Sequence, residues 1–153
     1  MEAINQRAAE ITVVYKSKQR ASERPQISIS ADALIHLIEA YDMQTIGLQE
    51  QFVVMYLNRS NAILGIYRCS VGGMTGTVAD IRLILSVALR IAATGIIISH
   101  NHPSGNLNPS RADEELTLKI REAAKLMDIK LLDHIIVEPS GTKFYSFADS
   151  GLM

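Results

Sequence analysis

The sequence predicts an α/β sandwich, a mixed sheet covered by helices on both faces. Two observations lead there. Short segments rich in β-branched or apolar residues recur at 10–15, 52–57, 62–69, 95–99, 130–137 and 143–146. Between them lie stretches whose apolar residues repeat at helical spacing, notably 80–92 and 110–127. With 153 residues, 48% hydrophobic and 20% charged, one domain covering 1–153 can bury a sizeable core without staples.

The elements follow in order. Ile11, Thr12, Val13 and Val14 make 10–15 a strand, and the polar stretch 16–26, with Pro25 near its end, is a loop or arm. Residues 1–30 thus hold an N-terminal strand and an arm. Ser30 is placed as a helix N-cap with Asp32 in the first turn, and this helix runs to about Tyr41. Residues 52–57 and 62–69 form a hairpin across the four-residue loop 58–61. The first of these strands is apolar on both faces, so it is placed inside the sheet. Gly72, Gly73 and Gly76 mark a flexible loop; with no Lys-Ser/Thr after them they do not form a phosphate-cradling loop. The helix at 80–92 carries Ile81, Leu85, Ala88 and Ala92 on one stripe. A short buried strand at 95–99 ends at His100. Asn108, Pro109 and Ser110 open a helix running to about Met127. The strand 130–137, a turn at 139–141 and a strand at 143–146 complete the chain.

Composition narrows the function. The net charge of −1 provides no basic excess to neutralise phosphates, although Lys16, Lys18, Arg20 and Arg24 form a local basic cluster. The single cysteine, Cys69, excludes an internal disulfide and a cysteine-rich structural zinc site. The N-terminus lacks a signal-peptide core and no apolar run is long enough to span a bilayer, so a cytoplasmic location without a membrane partner is expected.

The chemistry concentrates in one stretch, His100-Asn101-His102-Pro103-Ser104-Gly105 followed by Ser110 and Asp113. Two imidazoles and one carboxylate make a three-ligand set for a divalent metal and leave a fourth position for water, as catalytic zinc sites do. Residues i and i+2 at a strand end point to the same side, so His100 and His102 can aim at one point. Pro103 ends the ladder because it has no N–H. A His-x-His pair by itself is a weak signal, and hydrogen-bonded surface histidines are the plain alternative.

Asp113 strengthens it. At about 100° per residue, Ile120 and Ala124 lie within about 20° of Asp113, and Thr117 and Met127 within about 40°. Glu115, Lys119, Glu122 and Lys125 take the opposite side, and Glu114 falls about 100° off the stripe. An inward carboxylate needs a partner, since burying an unpaired charge costs several kcal/mol. The plain alternative is a capping box from Ser110 to Asp113, which contributes on the order of 1 kcal/mol. Glu50, just before the internal strand, is a candidate general base; from spacing alone a solvated strand-edge glutamate is the simpler reading. Ser110 caps its helix, and its free hydroxyl proton could also serve an oxyanion. His36 reads as structural. Asp133 and His134 sit on opposite faces of a strand and read as structural too.

With these residues in hand, the chain resembles the JAMM (JAB/MPN) metalloprotease family, and within it the bacterial RadC-like branch. The resemblance is carried by Glu50, His100-Asn101-His102-Pro103, and Ser110 through Asp113, with seven residues between His102 and Ser110. The run from Ser104 to Ser110 and the segment 132–137 extend it, from about Thr45 onward. It implies a JAB/MPN α/β/α sandwich around a mixed, largely antiparallel sheet, layered as in cytidine deaminases. It implies one zinc per chain on His100, His102 and Asp113, Glu50 as general base with Glu39 as fallback, and Ser110 as oxyanion stabiliser. The expected activity is a metallopeptidase or isopeptidase acting on a peptide or protein. Longer RadC-like proteins carry an N-terminal helix-hairpin-helix segment; residues 1–44 show no such paired-glycine hairpin, so a DNA-repair role is in doubt here. A DNA-associated accessory protein that retains the metal site is the alternative, and zinc hydrolysis of another bond a third. Homo-oligomerisation is left open, and substrate choice is assigned to the loops 71–78 and 103–109.

Overall fold

A computed structural model describes residues 9, 11–12, 14–72 and 79–153. The strand expected over 10–15 does not form where it is described. Glu10 and Val13 lie outside the described residues, and Ile11, Thr12, Val14 and Tyr15 belong to no strand. Ile11 and Val14 are exposed. Strand propensity expresses packing against neighbours, and the described residues of this segment join no ladder. The arm after it touches the fold at its end: Ile27 N–H donates to Asn61 O and Ile63 N–H donates to Pro25 O, both at 2.9 Å.

Helix α1 (Ser30–Leu37) starts one residue earlier than a Ser30 cap requires. Ile29 holds the cap position, and the Asp32 carboxylate accepts the N–H groups of Ser28 and Ile29 instead. The helix tightens into a 3-10 turn over Ile38–Ala40, short of the expected end at Tyr41. Tyr41 is buried and its hydroxyl lies 2.6 Å from the Ser99 hydroxyl, tying this turn to the sheet.

Strands β1 (Gln51–Leu57) and β2 (Ile63–Val71) form the expected hairpin. Asn58 Oδ1 accepts the N–H groups of Ser60 and Ala62, which fixes its loop. Of the glycine-rich loop, residues 73–76 lie outside the described residues. Helix α2 (Ile81–Arg90) is capped by Asp80 and buries Ile84, Leu85 and Ala88. Ala92, expected on that stripe, is exposed and lies past the helix end in the left-handed region at φ 55°. Strand β3 (Gly95–Asn101) runs two residues beyond the expected end at Ser99, so His100 lies within the ladder. Helix α3 (Arg111–Leu126), strand β4 (Lys130–Val137) and strand β5 (Phe144–Ser146) complete the fold.

The sheet order is β2-β1-β3-β4-β5. Among the described residues, only β3 and β4 pair in parallel, with α3 as their crossover, and the other strand pairings are antiparallel. All seven residues of β1 and of β3 are buried, as expected for strands covered on both faces. Alternation splits their side chains between two cores. Phe52, Val54, Tyr56, Ile96 and Ile98 pack with Ile84, Ala88, Ile120 and Ala124 of α2 and α3. Val53, Met55, Leu57, Ile97 and Ile135 pack with Ala33 and Leu37 of α1. This is the α/β/α sandwich of the sequence reading. Among the described residues, no helix is long and apolar enough to cross a membrane.

Candidate metal centre

In open α/β sheets, ligands bind beyond the carboxyl ends of parallel strands. The carboxyl end of β3 carries His100, Asn101 and, one residue past the ladder, His102. His102 N–H still donates to Val137 O at 3.0 Å, and Pro103 then ends the pairing. The two rings share a side, with centroids 4.8 Å apart. The chain turns at Gly105, whose φ of 79° suits a residue without Cβ and whose N–H donates to His102 O. That turn brings the Asn106 carbonyl to His102 Nδ1 at 2.5 Å. A carbonyl only accepts, so Nδ1 carries a proton, and in the neutral ring Nε2 is left with the lone pair.

Asp113 completes the group from the first turn of α3. Thr117, Ile120 and Ala124 are buried on its stripe, while Met127 is half exposed because α3 has already ended. Glu114 is exposed. His100 Nε2 and His102 Nε2 are 2.9 Å apart. Asp113 Oδ1 is 3.2 Å from His100 Nε2, and Oδ2 is 3.3 Å from His102 Nε2. Zinc bonds of about 2.0–2.1 Å in tetrahedral geometry put ligand atoms about 3.3–3.4 Å apart. The three donors are near that spacing, and their hard–borderline N/N/O chemistry fits the ion. The capping box is present as well. Ser110 Oγ accepts the Asp113 N–H at 3.1 Å, and Asp113 Oδ2 accepts the Ser110 N–H at 2.7 Å.

Charge follows from this packing. Burial alone would raise the Asp113 carboxyl, but hydrogen bonds from His100 and His102 hold it well below the usual carboxylate range. The Asp113 hydrogen bond in turn raises His102 above its ordinary value, against the opposing effect of burial. A metal would have to displace that proton.

Glu50 is half-buried immediately before β1. It lines a pocket of about 330 Å³ together with His102, Pro103, Ser104, Asn106, Asn108 and Ser110. The candidate base, the candidate oxyanion donor and one candidate ligand therefore face one space. Glu39, the fallback, is exposed on the 3-10 turn and lies outside that lining. A larger cavity, about 610 Å³, opens elsewhere, at the amino end of β4 between Arg121, Lys125 and Lys130.

Sequence reasoning missed two residues. Asn101, between the two histidines, is fully buried on the opposite face. Its Oδ1 accepts the Gln51 N–H at 2.6 Å, and its Nδ2 donates to Ile46 O at 2.6 Å and Gln49 O at 2.9 Å. These bonds grip the backbone on both sides of Glu50. His134 is also fully buried, and its Nε2 lies 2.8 Å from His100 Nδ1. Burial, the largest cause, pushes its pKa well below the ordinary imidazole value. Asp133 points the other way, as expected: its carboxylate takes the Ser146 hydroxyl at 2.6 Å and the Ala148 N–H at 3.0 Å. The signal for His134 was its place on a strand beside the one carrying the histidine pair, but the pairing of the two strands is not written in either segment.

Comparison with known proteins agrees with this geometry. Residues 27–152 match the RadC-like JAB domain. A UPF0758 protein of Flavobacterium johnsoniae is 48% identical over 103 residues, 67% of this chain and 44% of that protein. One from Porphyromonas gingivalis is 43% identical over 105 residues, 69% of this chain and 46% of that protein. UPF0758 protein YfjY of Escherichia coli is 38% identical over 108 residues, 70% of this chain and 66% of that protein. The chain thus spans less than half the length of the first two relatives. A match across most of the chain, together with the α/β/α layering and the His-x-His and Asp113 convergence, leads to one conclusion: the chain belongs to the RadC-like JAB domain family.

Proposed function

We propose that this chain is a zinc-dependent hydrolase of the JAMM type, a metallopeptidase or isopeptidase that cleaves an amide bond in a peptide or protein. The observation that supports this reading most is the convergence of His100, His102 and Asp113 near tetrahedral spacing beside a pocket lined by Glu50 and Ser110. His100, His102 and Asp113 would hold the ion. Zinc there would supply Lewis acidity, easing the ionisation of water near neutral pH and polarising a carbonyl.

The chain's own groups supply the rest. Glu50 takes a proton from the attacking water and returns it to the leaving amine as the C–N bond breaks. Ser110 Oγ accepts the Asp113 N–H, which leaves its own proton to donate to the carbonyl oxygen as charge gathers there. The helix N-terminus that Ser110 caps adds a favourable field for that charge.

Elemental analysis of the purified protein should find one zinc per chain, lost in a His100→Ala variant. Cleavage of peptide and isopeptide libraries should require the metal and disappear in Glu50→Gln while zinc stays bound. Undiminished cleavage by Glu50→Gln would remove Glu50 from the mechanism. Equal zinc content in wild type and His100→Ala would remove the metal site.

A further inference from the structure

We infer that His134, backed by Thr117, is a positioning residue that fixes which nitrogen of His100 carries the proton and so turns the His100 Nε2 lone pair toward the centre of the triad. The inference rests on the metal reading proposed above and concerns two residues outside the triad.

The argument follows the protons along one chain of contacts. Thr117 Oγ1 lies 2.6 Å from the Asp113 carbonyl oxygen, one helical turn back. Two oxygens that close need a proton between them, and a carbonyl has none to give. The single hydroxyl proton of Thr117 is therefore committed to Asp113 O. The same Oγ1 lies 2.6 Å from His134 Nδ1, and toward that nitrogen it can only accept. His134 Nδ1 then carries a proton, and in a neutral ring its Nε2 is an acceptor. His134 Nε2 lies 2.8 Å from His100 Nδ1. So His100 donates from Nδ1, and in the neutral ring its Nε2 faces His102 and Asp113 with a lone pair.

Each link is held by a different element. His100 stands on β3, His134 on β4 and Thr117 on α3, so the contacts tie the three elements behind the site. The register pairs Ile98 with His134 and His100 with Ile136, which makes His100 and His134 diagonal neighbours on one face. Phe147 stacks on the His134 ring at 4.7 Å, and Phe52 lies 6.3 Å away, so the ring has little room to turn. The Asn106 carbonyl does the same service for His102 directly. Ligand histidines generally need such a partner on the far nitrogen, and losing it costs about 10- to 100-fold in metal affinity.

The test has two readouts. In metal-free wild type at about pH 8, where an ordinary imidazole is neutral, long-range nitrogen–proton spectra should show His100 protonated at Nδ1. His134→Phe keeps an aromatic ring and removes the acceptor. It should weaken zinc binding by about 10- to 100-fold in a chelator competition, with circular dichroism unchanged. His134→Gln, which can present an amide oxygen, should recover part of that loss, and Thr117→Val should give a mixed His100 tautomer. A wild-type His100 protonated at Nε2 overturns the inference even if no variant folds, and so does full zinc affinity in a folded His134→Phe. If wild type binds no zinc, the hydrolase proposal fails, but the tautomer measurement still decides this one.

Discussion

Removing the Asn101 side chain should separate the placement of Glu50 from the holding of a metal. In Asn101→Ala three hydrogen bonds disappear, to Gln51 N–H, Ile46 O and Gln49 O. Asn101 is fully buried, so each lost bond leaves a partner with little access to water. At about 1 kcal/mol net per bond, the loss comes to about 3 kcal/mol. For a chain of this size that lowers Tm by about 6–12 °C. Stability on the order of 5–15 kcal/mol leaves the variant folded. His100 and His102 remain on the β3 ladder, so zinc affinity should change by less than about 3-fold, whereas a base displaced by about 1 Å costs on the order of 100-fold in rate. Urea denaturation, chelator competition and peptide hydrolysis read these three quantities. A stability loss under about 1 kcal/mol, or zinc affinity falling in step with hydrolysis, would refute the reasoning.

Further outcomes follow from other sites. Ser110→Ala should lose about 1 kcal/mol of stability and Ser110→Gly only a few tenths, because glycine caps nearly as well as serine. Both should lose about 100- to 1,000-fold in hydrolysis if the hydroxyl acts on the carbonyl oxygen, and rates that track stability would reduce Ser110 to a cap. The Asp133 carboxyl is raised above 3.8, chiefly by burial, so its ionised form weakens the fold and stability is regained as pH falls through the raised value. Asp133→Asn cannot ionise, so wild type should gain stability relative to it between about pH 7 and pH 4 in denaturation curves; a constant or shrinking difference would contradict this. Gly141 has φ 72°, and a Cβ there would meet Ile38 Cδ1 at 2.6 Å. Gly141→Ala should therefore lower stability by at least about 1–2 kcal/mol while zinc binding is unchanged.

What could be read from the sequence was whatever a single segment determines. Spacing along α3 was enough to turn Asp113 inward, and the burial of Thr117, Ile120 and Ala124 follows from the same period. The i, i+2 rule was enough to put His100 and His102 on one side. The first strand failed for the opposite reason: Ile11, Thr12 and Val14 have the propensity, but a strand exists only beside a neighbour. His134 read as structural because its segment says only that it opposes Asp133. That it meets His100 depends on a parallel β3–β4 register set by the α3 crossover, which no local pattern encodes. Asn101 was hidden in the same way, since the loop at 46–50 reaches β3 only once the sheet has formed.

The helix cap and the proposed metal ligand are rival readings of Asp113, and its two oxygens have room for both. Oδ2 accepts the Ser110 N–H while it faces His102, and Oδ1 is left for His100. The cap aims the carboxylate at the start of α3, where the helix field favours its ionised form. Those are the demands of a cation at the carboxyl end of β3. A ligand oriented by its own helix terminus loses little freedom when an ion arrives, so less of the binding energy goes into ordering it. The spacing from His102 to Ser110 then has a physical meaning: it is the length of chain that turns at Gly105, lends Asn106 to His102, and starts a helix with its first turn beside the two imidazoles.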